Sequence, residues 1–293
     1  MQMISITDEL SFSRIIQGLW RVTDWKLSTP ELTKFLNACI DRGVDTFDAA
    51  DIYGGGLCEE QVGMALREIP RDRYKIVSKG GICFGTNGGR NYYDTSYEYL
   101  LRACRNSVRK LNCGYLDLYL IHREDPLIHH EEAARALLRL KADGVIREAG
   151  VSNFDPYKFR ALNHYMGGTL RTNQIEWNPC CFEHFQSGMM DMLQEERVHP
   201  MIWSPLCGGA LFRSQEEPYV RARAVLEPMA EEKGISVNTL VYAWILQHPV
   251  GAMPLVGSGK LSRLDEAIAA LDVELSREDW FKSYRASGQM VLR

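Results

Sequence analysis

Four side chains in the first half of the sequence could act together on a proton: Asp48, Tyr53, Lys79 and His122. Asp48 ends a strand-like run in VDTFDAADIYGGG (44–56), and Tyr53 follows on a loop with Gly54, Gly55 and Gly56. Lys79 and His122 end two further apolar runs, Tyr74–Lys79 and Leu116–His122. Strand alternation puts Leu116, Leu118, Leu120 and His122 on one face, so the histidine continues an inward row. An ammonium beside a phenol favours phenolate and lowers the tyrosine pKa, and a carboxylate keeps that lysine charged and in place. A tyrosine tuned this way donates a proton to a carbonyl oxygen, while an imidazole orients and polarises the same carbonyl. Singly, each residue also reads as an ion-pair member, a loop packing residue or a core histidine. Their recurrence at successive strand ends is what points to chemistry.

Such a set works only if the strand ends share one mouth, and the patterning supplies that. The opening ISITDELSFSRII (4–16) alternates about a polar turn and predicts a short hairpin. Strands are then expected at 15–20, 44–48, 74–79, 116–122, 145–151, 172–175, 200–204 and 251–256. Helical periodicity falls between them, at about 28–42, 59–68, 97–111, 130–143, 156–165, 185–196, 220–233, 237–247 and 263–271. Ser28-Thr29-Pro30 is a cap followed by proline in the first turn, a strong helix start. Strands alternating with helices mean a parallel sheet, and eight such units predict an α/β protein with a closed (β/α)8 TIM barrel. The barrel is expected to be one domain, 1–293, with an extra amphipathic helix at 277–286. A doubly wound open sheet is the runner-up, disfavoured because no G-x-G-x-x-G follows the first strand.

Composition narrows the partners. The 293 residues are 45% hydrophobic and 25% charged with a formal charge of −4, which suits a globular protein and favours neither nucleic acid nor membrane as partner. The start MQMISITDEL lacks a signal peptide's basic and apolar regions. The eight cysteines are scattered without CxxC spacing, which predicts reduced thiols, a cytoplasmic location and no metal site.

The ordered segments DTFDAADIYG (45–54), IVSKGG (76–81), DLYLIH (117–122), GVSNF (150–154), NQIEWNP (173–179) and WSPL (203–206) resemble the aldo-keto reductases. The likeness runs from Ile15 to Leu271 and is greatest to bacterial oxidoreductases with IHRxDP (121–126 here). It implies NADPH-dependent reduction of aldehydes or ketones, with NADPH favoured over NADH. Asp48, Tyr53, Lys79 and His122 would be the catalytic tetrad, and Tyr53 the general acid. Ser152, Asn153 and Gln174 would hydrogen-bond the nicotinamide carboxamide, and Trp203 would stack under its ring. The Ser204–Arg213 loop, including Ser204, Leu206 and Gly208, would close over the pyrophosphate. Ser258, Lys260 and Arg263 would hold the adenosine 2′-phosphate, with Glu266 also matching. Gly257 and Ala267 depart from the lysine and asparagine common in the family, and Lys260 is expected to supply the missing charge.

A small carbonyl substrate is expected between Trp20, Trp25, Tyr92 or Tyr93, Arg123 and Trp177. Aromatic walls suit an apolar compound, and Arg123 would favour an anionic one unless it pairs with Glu124 or Asp125. Two rivals remain at this level: a Schiff-base lyase using Lys79, and a nicotinamide-binding sensor or auxiliary subunit without turnover. The sequence leaves the oligomeric state open, a monomer included.

Overall fold

Apolar runs and amphipathic stretches alternate in the sequence, and the structure closes them into a ring. The computed structural model describes residues 1–85, 89–286 and 288. An antiparallel hairpin of β1 (Met3–Thr7) and β2 (Leu10–Ser13) opens the chain. The barrel begins with β3 (Ile16–Gly18), β4 (Thr46–Asp48) and β5 (Lys75–Gly80). A small excursion, β6 (Ile82–Cys83) paired with β7 (Tyr92–Tyr93), precedes the rest. The ring continues through β8 (Leu116–Ile121), β9 (Ile146–Ser152), β10 (Leu170–Glu176), β11 (Met201–Trp203) and β12 (Met253–Val256). It closes where Leu255 and Val256 pair in parallel with Ile16 and Gln17.

The outer layer is helical: α1 (Thr29–Asp41), α2 (Cys58–Leu66), α3 (Tyr97–Leu111), α4 (His130–Ala142) and α5 (Pro156–Tyr165). Then come α6 (Glu183–Gln186), α7 (Met189–Glu195), α8 (Ala210–Arg213), α9 (Glu217–Glu232), α10 (Val237–Leu246), α11 (Leu261–Ala269) and α12 (Arg277–Ala286). Local chemistry fixes their starts. The Glu31 carboxylate accepts from the Ser28 backbone N–H at 2.8 Å before α1, and Asp155 accepts from Tyr157 and Lys158 N–H at 2.8 and 2.9 Å before α5.

Alternation sorts the strand side chains into two cores. Leu118 and Leu120 join Ile16, Val77, Met201 and Met253 inside the barrel, while Tyr119 and Ile121 pack between sheet and helices. The hairpin plugs the barrel floor: Leu10 and Phe12 belong to the interior cluster, and the Ser13 N–H donates to Thr46 Oγ1 at 3.0 Å. The opposite end, at the strand C-termini, is left for the site.

One local expectation changes, and two further features emerge. The helix expected at 185–196 is two, because Gly188 adopts φ +77° between α6 and α7 and breaks the ladder. Part of the polar excursion after β5 folds as the β6–β7 ribbon. The aromatic tail packs on the barrel flank: Trp280 lies 5.5 Å from Trp244, and each indole N–H donates to the other's backbone carbonyl, at 3.2 and 3.0 Å. Among the described residues no helix is long and apolar enough to cross a membrane.

Candidate active site

Hydrogen bonds that run past the strand ends fix the residues just beyond them. Asp51 N–H donates to Lys79 O at 3.0 Å, His122 N–H to Gly80 O at 2.8 Å, and Asn153 N–H to Gln174 O at 2.9 Å. Tyr53 begins a single 3-10 turn, Tyr53–Gly56, in which Gly54 and Gly55 take φ of +58° and +68°. That is left-handed backbone, which explains the glycine run after the tyrosine.

These constraints bring Asp48, Tyr53, Lys79 and His122 together. The fully buried Lys79 Nζ donates to Asp48 Oδ2 at 2.7 Å, to Ala49 O at 2.7 Å and to the Tyr53 hydroxyl at 3.1 Å. Gln174 Nε2 donates to the other carboxylate oxygen, Asp48 Oδ1, at 2.8 Å. The His122 ring stands edge-on to Tyr53, with centroids 5.7 Å apart.

The electrostatics follow from burial and charge. Burial presses Lys79 toward its neutral form, but Asp48 and Tyr53 outweigh it, so the amine titrates above its ordinary value. Burial pushes the Tyr53 phenol up, and Lys79 only partly offsets that, so it sits above its ordinary value. This corrects the expectation of a lowered tyrosine pKa: desolvating the phenolate outweighs the ammonium beside it. Burial, then Lys79 and Arg123, hold the His122 imidazole well below its ordinary value. At neutral pH the arrangement is a neutral phenol on an ammonium, beside a neutral imidazole. It can give a proton to, and donate a hydrogen bond to, one oxygen atom.

A cavity of about 740 Å³ opens over these groups, of the size that holds small-molecule ligands. Its wall includes Asp48, Tyr53 and His122, while Lys79 lies behind Tyr53 and off the wall. Trp20, Arg123, Ser152, Asn153, Gln174, Trp203, Ser204, Leu206, Gly208, Ser258 and Arg263 line it too. Several of these are already engaged with one another. Asn153 Oδ1 accepts from Trp203 Nε1 at 2.9 Å, Asn153 Nδ2 donates to Ser152 Oγ at 2.8 Å, and Ser152 Oγ donates to Gln174 O at 2.9 Å. Asn153 and Ser204 hold φ of +59° and +50°, strained for non-glycine residues and common at functional sites.

Besides Lys79, several other sequence candidates lie off that wall. Trp177 is fully buried against Phe185, Trp244 and His248, because the alternation that points Gln174 inward points Ile175 and Trp177 outward. Trp25 packs edge-on to Phe35 at 5.3 Å, under Gly259. Tyr92 is exposed on the β6–β7 ribbon. Lys260 is exposed at the cap of α11. Glu266 faces Arg263, whose Nη1 donates to it at 2.8 and 3.0 Å, and also accepts from Asn238.

Sequence reasoning passed over other wall residues. Arg21 lies over Trp20 and donates to Gly208 O at 3.1 Å, bridging two loops; its cue was a cation directly after a strand-end tryptophan. Phe84 and Asn91 reach the wall from the β6–β7 ribbon without any local signal. Near Lys79 lie two more acids. Glu59 is fully buried and accepts from Ser78 Oγ at 2.6 Å, and burial raises its pKa. Burial and the neighbouring Glu59 push the Asp51 carboxyl up to about 8.

The chain is similar to known proteins along nearly its whole length. The profile of the "Aldo/keto reductase family" matches residues 14–283. "Uncharacterized oxidoreductase YcsN" of Bacillus subtilis is 41% identical, over 98% of each chain. A "6-dehydroglucose reductase" of Agrobacterium fabrum is 39% identical, over 97% of each. The crystal structure of an aldo/keto reductase from Klebsiella pneumoniae in complex with NADP and acetate superposes with a TM-score of 0.79. It is 29% identical, with 95% of this chain and 92% of that one covered.

Proposed function

This chain belongs to the aldo/keto reductase family, and from that premise we propose that it reduces an aldehyde or ketone with NADPH, Tyr53 giving the proton. The observation that carries the reading is the contact of Lys79 Nζ with both Asp48 Oδ2 and the Tyr53 hydroxyl at the cavity's base. Bound NADPH would supply the hydride for the carbonyl carbon. Everything else is the work of this chain's residues.

The Tyr53 phenol is protonated at neutral pH because burial raises its pKa, so it has a proton to give. As that proton leaves, the phenolate forms beside an ammonium that Asp48 keeps charged, which lowers the cost of transfer. His122 is neutral, so a ring N–H would donate to the substrate oxygen without adding a charge to the site. Substrate oxygen and Tyr53 hydroxyl would thus meet between two fixed donors, and orientation supplies a further share of the rate.

The donor set fits a phosphorylated nicotinamide dinucleotide. Trp203 offers a ring face, held in place through its N–H by Asn153. Gln174 gives its N–H to Asp48, which leaves its carbonyl oxygen as an acceptor for a carboxamide. Ser258 and Arg263 line the far end of the cavity at the start of α11, where helix N–H groups favour an anion. Lys260, exposed at that cap, is close enough in sequence to join them.

The substrate would enter between Trp20, Tyr53 and Arg123. Glu124 pairs with Lys158 at 2.6 Å and Asp125 accepts from Thr95 Oγ1 at 2.7 Å, so Arg123 serves neither and lies over Trp203. An oxygen-rich or anionic carbonyl compound suits that guanidinium, and the 6-dehydroglucose reductase likeness agrees with it. The lyase alternative needs a neutral amine, which Asp48 opposes by keeping Lys79 charged.

Titration with NADPH and NADH, followed by tryptophan fluorescence, tests the reading. NADPH should bind more tightly, and Arg263→Ala should weaken NADPH by about tenfold or more while leaving NADH nearly unchanged. Failure of both nucleotides to bind near millimolar concentration would end the reductase reading and the sensor reading together.

A further inference from the structure

Two cysteines share one side-chain acceptor at the loop that borders the cavity. Cys207 begins the 3-10 turn Cys207–Gly209, and its neighbours Leu206 and Gly208 line the cavity. Cys180 lies in the connection between β10 and α6. The Cys180 thiol donates to Pro218 O at 3.7 Å. A single acceptor gathers both cysteines: Asn178 Oδ1 accepts from the Cys180 backbone N–H at 2.9 Å and from Cys207 Sγ at 3.1 Å. The Asn178 Nδ2 donates to Ser204 O at 3.1 Å, so the same side chain already links the end of β10 to the loop's start.

Both sulfurs belong to partly exposed residues, whereas Cys39, Cys58, Cys83, Cys104 and Cys113 are buried. Cys207 holds φ +54°, a strained backbone for a residue with a Cβ. The neighbouring Cys207, aided by Arg221 and Arg223, lowers the Cys180 thiol below its ordinary value against the effect of burial. A thiol so placed is the better nucleophile of the two, with the second cysteine held on the same asparagine.

We propose that Cys180 and Cys207 form an oxidation site at which a peroxide closes a disulfide, tying the Ser204–Arg213 loop to the end of β10 and slowing dinucleotide exchange. The Cys180 thiolate attacks one peroxide oxygen, giving a sulfenic acid and releasing one water after protonation. The Cys207 sulfur then attacks the sulfenic sulfur, its proton leaving with the hydroxyl as a second water. Two thiols and one hydrogen peroxide thus yield one disulfide and two waters; both sulfurs are oxidised and both peroxide oxygens reduced. Closing the bond brings the two sulfurs to about 2 Å from each other, which pulls the loop onto β10. The effect on dinucleotide exchange rests on the proposed cofactor; the disulfide and the stiffened loop do not.

Wild-type protein and Cys180→Ser should be treated with hydrogen peroxide, then compared by peptide mapping, by amide exchange over residues 204–213 and by the NADPH dissociation rate. The wild type should lose two thiols to a Cys180–Cys207 link, with loop amide exchange and NADPH dissociation each slowed about tenfold and restored by dithiothreitol. Cys180→Ser should show none of these changes, and Cys181→Ser should respond as the wild type does. Linkage through Cys181, or no disulfide at all, overturns the proposal. So does a disulfide that leaves loop exchange unchanged. If the loop stiffens but the reduced protein never binds NADPH, the cofactor reading fails, and with it the claim about dinucleotide exchange.

Discussion

Asp48→Asn should destabilise this barrel far more than a one-atom change usually does. Lys79 is fully buried, and the substitution removes the carboxylate that faces its ammonium at 2.7 Å. What remains is neutral: the Ala49 carbonyl at 2.7 Å and the Tyr53 hydroxyl at 3.1 Å. Breaking a buried ion pair from one side costs about 3–5 kcal/mol, because the surviving charge is left uncompensated. The new amide keeps an oxygen that can accept from Gln174, so that cross-barrel bond is not the source of the loss. At about 2–4 °C of Tm per kcal/mol, the melting point should fall by about 6–20 °C. The double variant Asp48→Asn/Lys79→Met removes both charges and should recover most of the fall. Calorimetric melts of all three proteins at pH 7 measure this. A drop below about 2 °C, or a double variant no more stable than the single one, would refute the reasoning.

Tyr53→Phe should lower turnover by about 10²–10⁴-fold with little change in melting, since Lys79 keeps Asp48 and the Ala49 carbonyl; retention of activity within about tenfold of wild type would take the proton away from Tyr53. Asp51 holds its proton up to about pH 8 when folded against an ordinary 3.8, so its contribution to stability is full below pH 3.8 and is lost as pH rises through 8. Urea midpoints of the wild type should therefore fall between roughly pH 5 and 8.5, and Asp51→Asn should flatten that slope and be the more stable protein at the alkaline end; equal slopes would contradict it. The slope should not vanish, because Glu59 is also raised by burial. Arg123→Leu should raise KM for carboxylated or polyhydroxylated carbonyl substrates by about tenfold while leaving kcat for an uncharged aryl aldehyde within about twofold; an equal effect on both substrates would remove Arg123 from recognition.

The barrel and the tetrad were legible because they rest on local rules. Alternation in Leu118–Leu120–His122 sets which way the histidine points, and a strand end sets where Asp48 and Lys79 meet. What was illegible depends on longer reach. Trp177 was expected at the cavity because it lies just past a strand end, yet the alternation that points Gln174 inward turns it into the outer core. Phe84 and Asn91 reach the wall only because β6 and β7 pair, which nothing in the Gly/Asn-rich stretch announces. The Tyr53 pKa went the other way from expectation because charge is visible in a sequence and desolvation is not. Ser204 and Cys207 hold left-handed backbone that their side chains disfavour, so residue type gave no hint of it.

The bond from Gln174 to Asp48 joins residues 126 positions apart. All four residues proposed to handle the proton have been synthesised by residue 122, well before the chain reaches the amide that holds the carboxylate's second oxygen. A nascent or truncated chain ending near residue 150 therefore carries the reacting groups without the tie that aims them. On the proposed mechanism, the return of turnover during refolding would require β10 to have reached across the ring, which would make activity a clock for barrel closure.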